Sequence, residues 1–208
     1  MNPNVLPAAA ALTVELTLVG SVLGALLGLV VLLIRRSRFV AARALAAAWV
    51  EIVRGVPPLV WLLLIFLGVG GLAPFVAACL AFGFVSAAYF SEIYRSGLSA
   101  VPRGQFEAIE SLGVPRAQGY LRVVLPQAAR VALPALFSYV IGLIKDTSLA
   151  SVIGVAELTF VANRAANRTG DGITPFVTVG VIYLAISVGF GLLGRMLSRR
   201  AGRAWVRA

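Results

Sequence analysis

The sequence predicts an all-α integral membrane protein with five transmembrane helices, organised as a single domain over residues 1–208. Sixty per cent of its 208 residues are hydrophobic and only 12% are charged, which is about half the charge of an average soluble domain. Several apolar stretches run for about 20 residues, the length that crosses the hydrocarbon core of a bilayer. Its 18 basic residues outnumber the 8 acidic ones, and they cluster at the ends of these stretches. That pattern favours contact with lipid headgroups over binding of nucleic acid.

The first predicted span covers residues 7–34. Gly20, Gly24 and Gly28 recur every four positions within it, so a helix places them on one face, where a neighbouring helix can approach closely. The span is followed by four arginines: Arg35, Arg36, Arg38 and Arg43. Because arginine is enriched on the cytoplasmic side, we expect the N-terminus outside and this cluster in the cytoplasm.

A double proline interrupts the second apolar segment. Residues 41–53 are predicted to be helical, and Pro57 and Pro58 must kink or restart the helix. Residues 59–69 alone are too short to cross a bilayer. We therefore expect the second span to include residues that precede the prolines, with a re-entrant hairpin as the alternative.

The third predicted span covers residues 75–93 and returns the chain to the cytoplasm. Residues 102–126 form the longest polar stretch of the sequence. They are predicted to be a cytoplasmic loop that holds one or two short helices.

The fourth predicted span begins after Pro126. A continuous helix from residue 127 to residue 161 would be about 50 Å long, too long for one crossing. We expect it to break at the polar run Lys145-Asp146-Thr147-Ser148. Residues 163–174 are predicted to be an outer loop.

The fifth predicted span covers residues 175–193. Five arginines follow it and are expected to hold the C-terminus in the cytoplasm: Arg195, Arg199, Arg200, Arg203 and Arg207. In this topology all basic residues except Lys145, Arg164 and Arg168 face the cytoplasm, that is, 15 of the 18. The opposite orientation would move those 15 outside, against the positive-inside rule.

Charged residues inside the predicted fourth span mark a candidate solute pathway. Each costs roughly 2.5–3.5 kcal/mol on insertion scales, so Lys145 and Asp146 must face protein or water. A broken helix presents free backbone groups and helix ends, a recurrent way to hold a charged solute. We therefore assign to the pathway Lys145, Asp146, Thr147, Ser148 and Glu157, with Tyr89 and Glu92 as further candidates. Two structural alternatives remain open: an ion pair of Lys145 with Asp146, and one of Glu92 with Arg95.

The polar loop contains a spaced motif: Glu107-Ala108-Ile109, three residues, Gly113, nine residues, and Val123-Val124-Leu125-Pro126. It resembles the signature loop of the membrane subunits of bacterial ABC importers. That loop reads Glu-Ala-Ala, three residues, Gly, nine residues, Ile, any residue, Leu-Pro. Here Ile109 replaces the second alanine and Val123 the isoleucine. The resemblance implies that the loop couples the chain to an ATPase through Glu107, Ala108, Gly113, Arg116, Leu125 and Pro126.

Residue chemistry alone leaves the role of this loop open. A short helix flanked by Gly113 and Pro115 makes a compact knob that could transmit a partner's movement to the helices behind it. A solvated loop with internal ion pairs is the alternative.

Further segments narrow the resemblance to the polar amino-acid uptake permeases of ABC importers: Arg54-Gly55-Val56-Pro57, Glu92-Ile93-Tyr94-Arg95-Ser96-Gly97 and Lys145-Asp146-Thr147-Ser148. The resemblance implies a type I ABC importer permease fold in the inner membrane. It also implies two ATP-binding subunits, a second permease copy or a homologous permease, and an extracytoplasmic amino-acid-binding protein. The chain has no Gly-x-x-x-x-Gly-Lys-Ser/Thr phosphate loop. We therefore expect no cofactor and no enzymatic activity in this chain, with ATP and magnesium bound by the ATPase.

Two other functions are compatible with a charged pathway. An ion-coupled secondary amino-acid carrier would use Lys145, Asp146 and Glu157 and would need no ATPase. A membrane-embedded enzyme would need catalytic acids or bases, and the sequence contains no histidine. The sequence leaves open which amino acid is carried and whether two identical or two different permeases pair.

Overall fold

The computed structural model describes residues 5–203 and the side chains of residues 5–199, and it contains no strand in that part of the chain. Arg207 lies outside the described residues, as do the side chains of Arg200 and Arg203. The α-helices are α1 (Leu6–Arg35), α2 (Val40–Gly55), α3 (Pro58–Gly68), α4 (Pro74–Ser99), α5 (Arg103–Ser111), α6 (Arg116–Gly119), α7 (Leu125–Asp146), α8 (Leu158–Thr169) and α9 (Thr174–Arg203). A π-helical turn (Tyr120–Val124) precedes α7, and a 3₁₀ helix (Thr147–Ile153) follows it.

Helices α1 and α4 run parallel and touch along the predicted glycine face. A Cβ atom added at Gly24 would lie 2.3 Å from the Cβ of Ser86, and one at Gly28 would lie 2.9 Å from the carbonyl oxygen of Ala87. The two backbones can approach this closely only because α1 carries no side chains there. The predicted packing face is therefore confirmed.

Helix α4 lies at the centre of the bundle and packs against α1, α2, α3 and α7. Four side chains show this packing, each at most 1% exposed: Leu16 of α1, Leu62 of α3, Phe82 of α4 and Leu143 of α7. Burying each large apolar side chain contributes about 1.5–3 kcal/mol. This shared core fixes α7, and with it the polar segments at both of its ends, against α1 and α4.

The double proline breaks the second segment sharply. Helices α2 and α3 have 16 and 11 residues and meet at an angle of 102°. The indole nitrogen of Trp61 donates a hydrogen bond of 3.1 Å to the carbonyl of Val53 and holds the corner. The predicted interruption is confirmed, but α2 does not prolong α3 in a straight line. By length and composition, four helical stretches of residues 5–203 can cross a membrane, or five if the bent pair forms one span.

The fourth span begins earlier than predicted. The two short helices expected in the polar loop are present as α5 and α6, but α6 continues through the π-helical turn into α7. Pro126 lies in the first turn of α7, inside this continuous helical stretch. The wider π turn before it lets the helix continue without a break. At the other end, the α-helical geometry ends at Asp146, within the predicted polar run, but the chain continues as a 3₁₀ helix to Ile153 and turns only at Gly154.

The prediction of an outer loop at residues 163–174 is wrong, because α8 continues to Thr169. Polar residues are compatible with a helix that packs one side only, and α8 buries Leu158 and Ala162. The helix ends at Gly170, whose φ of 72° is in the left-handed region, a common helix terminator. Helices α4 and α9 also extend six and ten residues beyond the predicted spans, to Ser99 and Arg203.

Candidate functional site

The predicted coupling loop forms a compact exposed knob, which we define as α5, α6 and the residues between them. Glu107 and Ala108 lie on the solvent-exposed face of α5. Leu112, at the tip, is 79% exposed. Sequence reasoning missed Leu112, a large apolar residue beside a glycine in an otherwise polar loop.

Gly113 ends α5 in a defined geometry. Its φ is 64°. Its backbone N–H donates to the carbonyl of Glu110, and that of Val114 donates to the carbonyl of Ile109, both at 3.1 Å. These two bonds are the Schellman pattern, which requires a left-handed residue at this position. The glycine of the motif is therefore explained by the turn that folds α6 back toward α5.

The inner side of the knob is attached to α7 through Ile109. This side chain is 8% exposed and clusters with Val101, Val124 and Ala128. A Cβ atom added at Gly119 would lie 2.6 Å from the Cγ2 atom of Ile109. The isoleucine that departs from the signature thus fills the space left by a glycine.

Polar contacts on the knob are weaker than its apolar attachment. Arg116 and Glu110 form a salt bridge of 3.6 Å with both side chains largely exposed, and such pairs contribute at most about 1 kcal/mol. The amide of Gln127 donates to the side-chain oxygen of Gln105 over 3.3 Å. Leu125 and Pro126 lie in the first turn of α7. They therefore join the knob to the span and are not part of the knob's exposed surface.

A second candidate site lies at the break after α7. Lys145 and Ser148 line a pocket of about 290 Å³ together with five residues of α8 and α9: Thr159, Phe176, Val179, Gly180 and Tyr183. The residues from α8 and α9 were missed by sequence reasoning. Two of them, Thr159 and Tyr183, carry hydroxyl groups, and polar groups inside apolar helices were the available signal.

Three side-chain hydroxyl groups donate hydrogen bonds to backbone carbonyl oxygens at this end of α7. Thr147 donates to the carbonyl of Ile144, Ser148 to that of Lys145 and Ser151 to that of Ser148, each at 2.7 Å. Thr147 is fully buried, so its side chain serves the backbone and does not face the pocket. Asp146 is partly buried and does not line the pocket. Lys145 and Asp146 form no salt bridge with each other or with another described side chain.

Glu157 is fully buried and caps the N-terminus of α8. Its carboxylate accepts hydrogen bonds of 2.8 Å from the backbone N–H groups of Thr159 and Phe160, and a further one from the hydroxyl of Tyr183. It does not line the pocket, but two of its partners, Thr159 and Tyr183, do. The hydrogen bonds of Glu157 therefore hold Thr159 and Tyr183 in place in the pocket wall.

Tyr89 and Glu92 lie away from this pocket. Tyr89 stacks on Tyr139 with ring centroids 4.9 Å apart, and the guanidinium of Arg54 lies 5.3 Å from the Tyr89 ring. Glu92 forms salt bridges with Arg35, at 2.7 Å, and with Arg95. The structure therefore realises the ion pair of Glu92 with Arg95 that the sequence left open.

Comparison with known proteins places these features in context. A family described as binding-protein-dependent transport system inner membrane component matches residues 5–203. The L-cystine transport system permease protein TcyB of Bacillus subtilis (strain 168) is 38% identical over 196 residues, covering 92% of this chain and 84% of the relative. The glutamate/aspartate import permease protein GltK of Escherichia coli O6:H1 is 34% identical over 201 residues, covering 91% and 90%.

Solved structures have the same architecture. An amino acid ABC transporter determined with histidines matches with a TM-score of 0.88 at 33% identity, covering 95% of this chain and 94% of that one. The MetNI methionine ABC transporter, in an inward-facing conformation, matches with a TM-score of 0.82 at 22% identity. At that identity the second match shows the fold alone.

Proposed function

Because the chain belongs to the family of inner membrane components of binding-protein-dependent transport systems, we propose that it is the permease subunit of an ATP-driven importer of polar amino acids. It is a multi-pass protein of the inner membrane and a transport subunit, not an enzyme; in this family a separate subunit hydrolyses ATP. One observation supports the proposal most directly: the first part of the motif of residues 107–126 lies in an exposed knob, and the rest joins that knob to α7. Such a knob can transmit a movement from a bound ATPase to the span.

The topology we propose has five spans, with the N-terminus outside and the C-terminus in the cytoplasm. Helices α1 and α4 are parallel, since Gly20 faces Phe82 and Gly28 faces Phe90. The segment between them must therefore return across the membrane, which supports counting α2 and α3 as one broken span. The arginine distribution supports the orientation.

The assembly we propose contains two such permeases, identical or homologous, with two ATP-binding subunits on the cytoplasmic side. An extracytoplasmic amino-acid-binding protein delivers the solute, and lipid surrounds the spans. The likeness to ABC transporters of amino acids supports this composition. The ATPases bind MgATP, and this chain needs no cofactor. Their closure moves the knobs, and the pathway alternates between inward and outward access.

The solute pathway we propose runs past Lys145, Asp146 and Ser148 at the break after α7. An amino acid carries both charges, and this site offers an ammonium group, a carboxylate and hydroxyls. The exposed side chain of Lys145 lies within an otherwise apolar span, so a second permease must cover it from the membrane. Thr147 and Glu157 hold the shape of the site, whereas Tyr89 and Glu92 belong to an aromatic stack and an ion-pair cluster away from the pocket.

Glu107→Ala tests the coupling role. The variant is assembled with its partner subunits in vesicles, and ATP-driven uptake is measured. We expect uptake to fall at least about tenfold, which corresponds to a docking contact weakened by about 1.4 kcal/mol. Glu51→Ala removes a carboxylate that is also exposed, on α2, and should leave uptake unchanged. Full uptake by the Glu107 variant would exclude the coupling role, and solute accumulation without any ATPase would favour an ion-coupled carrier.

Lys145→Gln and Glu157→Gln separate contact with the solute from support of the site. Hydrogen bonds to charged groups contribute about 1.5–3 kcal/mol, so Lys145→Gln should raise the apparent KM for uptake by about tenfold at unchanged thermal stability. Glu157→Gln keeps the volume but weakens the cap, so it should lower the melting temperature of the complex without changing which amino acids compete. An unchanged KM in the Lys145 variant would remove that residue from the pathway.

A further inference from the structure

An apolar groove lies between α1, α4 and α7, at the end of the bundle where the knob is attached. Its volume is about 390 Å³, and its walls are aliphatic apart from Tyr94. It shares no lining residue with the pocket at Lys145. The groove therefore needs an apolar occupant that is unrelated to the amino acid in the pathway.

The groove opens onto the part of α1 that faces the membrane. Leu26 and Leu29 form one edge and are 62% and 48% exposed. They continue an exposed apolar stripe with a helical repeat: Leu18, Val22, Leu26, Leu29 and Leu33. Because this stripe has the length and composition of a lipid-facing surface, the occupant comes from the bilayer.

Arg36 lies at the polar end of the groove, and Arg122 is close to that end along the chain. Arg36 follows the groove residue Leu32 by one helical turn, and its guanidinium lies 3.4 Å from the hydroxyl of Tyr120. Arg122 precedes the groove residue Leu125 by three positions. Neither forms a salt bridge with an acidic side chain among the described residues, in contrast to Arg35, which pairs with Glu92. Arg36 thus brings a positive charge without an acidic partner among the described residues to this end of the groove. The sequence places a second arginine, Arg122, within one helical turn of the groove residue Leu125.

We propose that this groove binds an anionic phospholipid, with one acyl chain between α1, α4 and α7 and the phosphate at Arg36 and Arg122. The apolar walls and the cationic end match the two parts of such a lipid at the depths where a bilayer presents them. In the proposed topology this is a lipid of the cytoplasmic leaflet. Since α7 carries the knob, the bound lipid fills the space between the moving helix and α1.

The test compares lipid retention by the assembled transporter in mixed nanodiscs of phosphatidylglycerol and phosphatidylcholine. After transfer to detergent, native mass spectrometry counts the lipids that stay bound. The wild-type complex should retain phosphatidylglycerol in preference to phosphatidylcholine, by about fivefold for each contributing arginine, since each cation near a membrane surface is worth about 1 kcal/mol. The double variant Arg36→Gln with Arg122→Gln should lose that preference.

Two further variants distinguish a bound lipid from general surface charge. Ala129→Leu places extra volume in the groove wall and should reduce retention of both lipids while ATP-driven uptake persists. Arg195→Gln with Arg199→Gln removes the same charge from α9, outside the groove, and should retain the wild-type preference. An unchanged preference in the Arg36 and Arg122 variant, an equal loss in the α9 control, or undiminished retention by Ala129→Leu would overturn the proposal.

Discussion

At the scale of the single residue, Gly24 sets the distance between two spans. An alanine at this position would bring its Cβ to 2.3 Å from the Cβ of Ser86. The next nearest atoms also belong to Ser86 and are part of the α4 backbone. Relief requires the helices to move apart, and overpacking of this kind costs about 1–3 kcal/mol. Gly24→Ala should therefore lower the melting temperature of the purified complex.

Gly189→Ala is the matched control for that prediction. Gly189 is also a helical glycine of a span, but a Cβ atom added there would meet no other atom within 4 Å. Because alanine favours the helix over glycine, this variant should melt no earlier than wild type. Equal melting temperatures for the two variants would show that α1 and α4 do not make the close contact described here.

Single residues also show where sequence reasoning ends. The glycine repeat in α1 predicted its own role, because helical spacing alone places Gly20, Gly24 and Gly28 on one face. Glu157 was assigned to the solute pathway, and its role as the cap of α8 was missed. That role depends on a helix that begins at Leu158, and the sequence predicted no helix start there.

At the scale of the element, the knob is held in place by the fit of Ile109 against Gly119. Gly119→Ala would bring a methyl group to 2.6 Å from Cγ2 of Ile109, so α5 must move away from α6. We expect ATP-driven uptake to fall in this variant. Ile109→Ala alone leaves a cavity and costs roughly 2–5 kcal/mol.

The double variant Ile109→Ala with Gly119→Ala makes this prediction specific. The new methyl group occupies part of the space vacated by the isoleucine, so uptake should recover well above that of Gly119→Ala alone. The backbone amides of α5 should likewise be better protected from hydrogen exchange in the double variant than in Gly119→Ala. Additive losses in the double-mutant cycle would mean that the two residues are not in contact.

Elements were predicted well where their signal is local. The change from α-helix to 3₁₀ helix at Asp146 falls in the polar run where a break was predicted, but the helical stretch ends only at Ile153. The interruption at Pro57 and Pro58 followed from the chemistry of proline. The continuity of α6 with α7 was missed, because a π-helical turn before Pro126 has no distinctive composition and depends on how α5 packs against it.

At the scale of the whole molecule, arginine distribution and helix direction support the same topology. The positive-inside rule predicted the orientation from composition alone. The parallel packing of α1 with α4 independently supports the proposed return across the membrane through α2 and α3. The candidate pathway could be only partly predicted, because Lys145 and Ser148 are local to one segment, whereas the pocket wall comes from α8 and α9.

Cysteine labelling tests this topology on the intact cell. The natural Cys79 is buried and is replaced by alanine, and one new cysteine is then introduced at either of two exposed positions, Ser111→Cys on α5 or Asn167→Cys on α8. In spheroplasts an impermeant maleimide should label the cysteine at 167 and not the one at 111. After the membrane is dissolved in detergent, both should react. Labelling at 111 in intact spheroplasts would place the knob outside, where no ATPase can reach it, and would refute the coupling role together with the orientation.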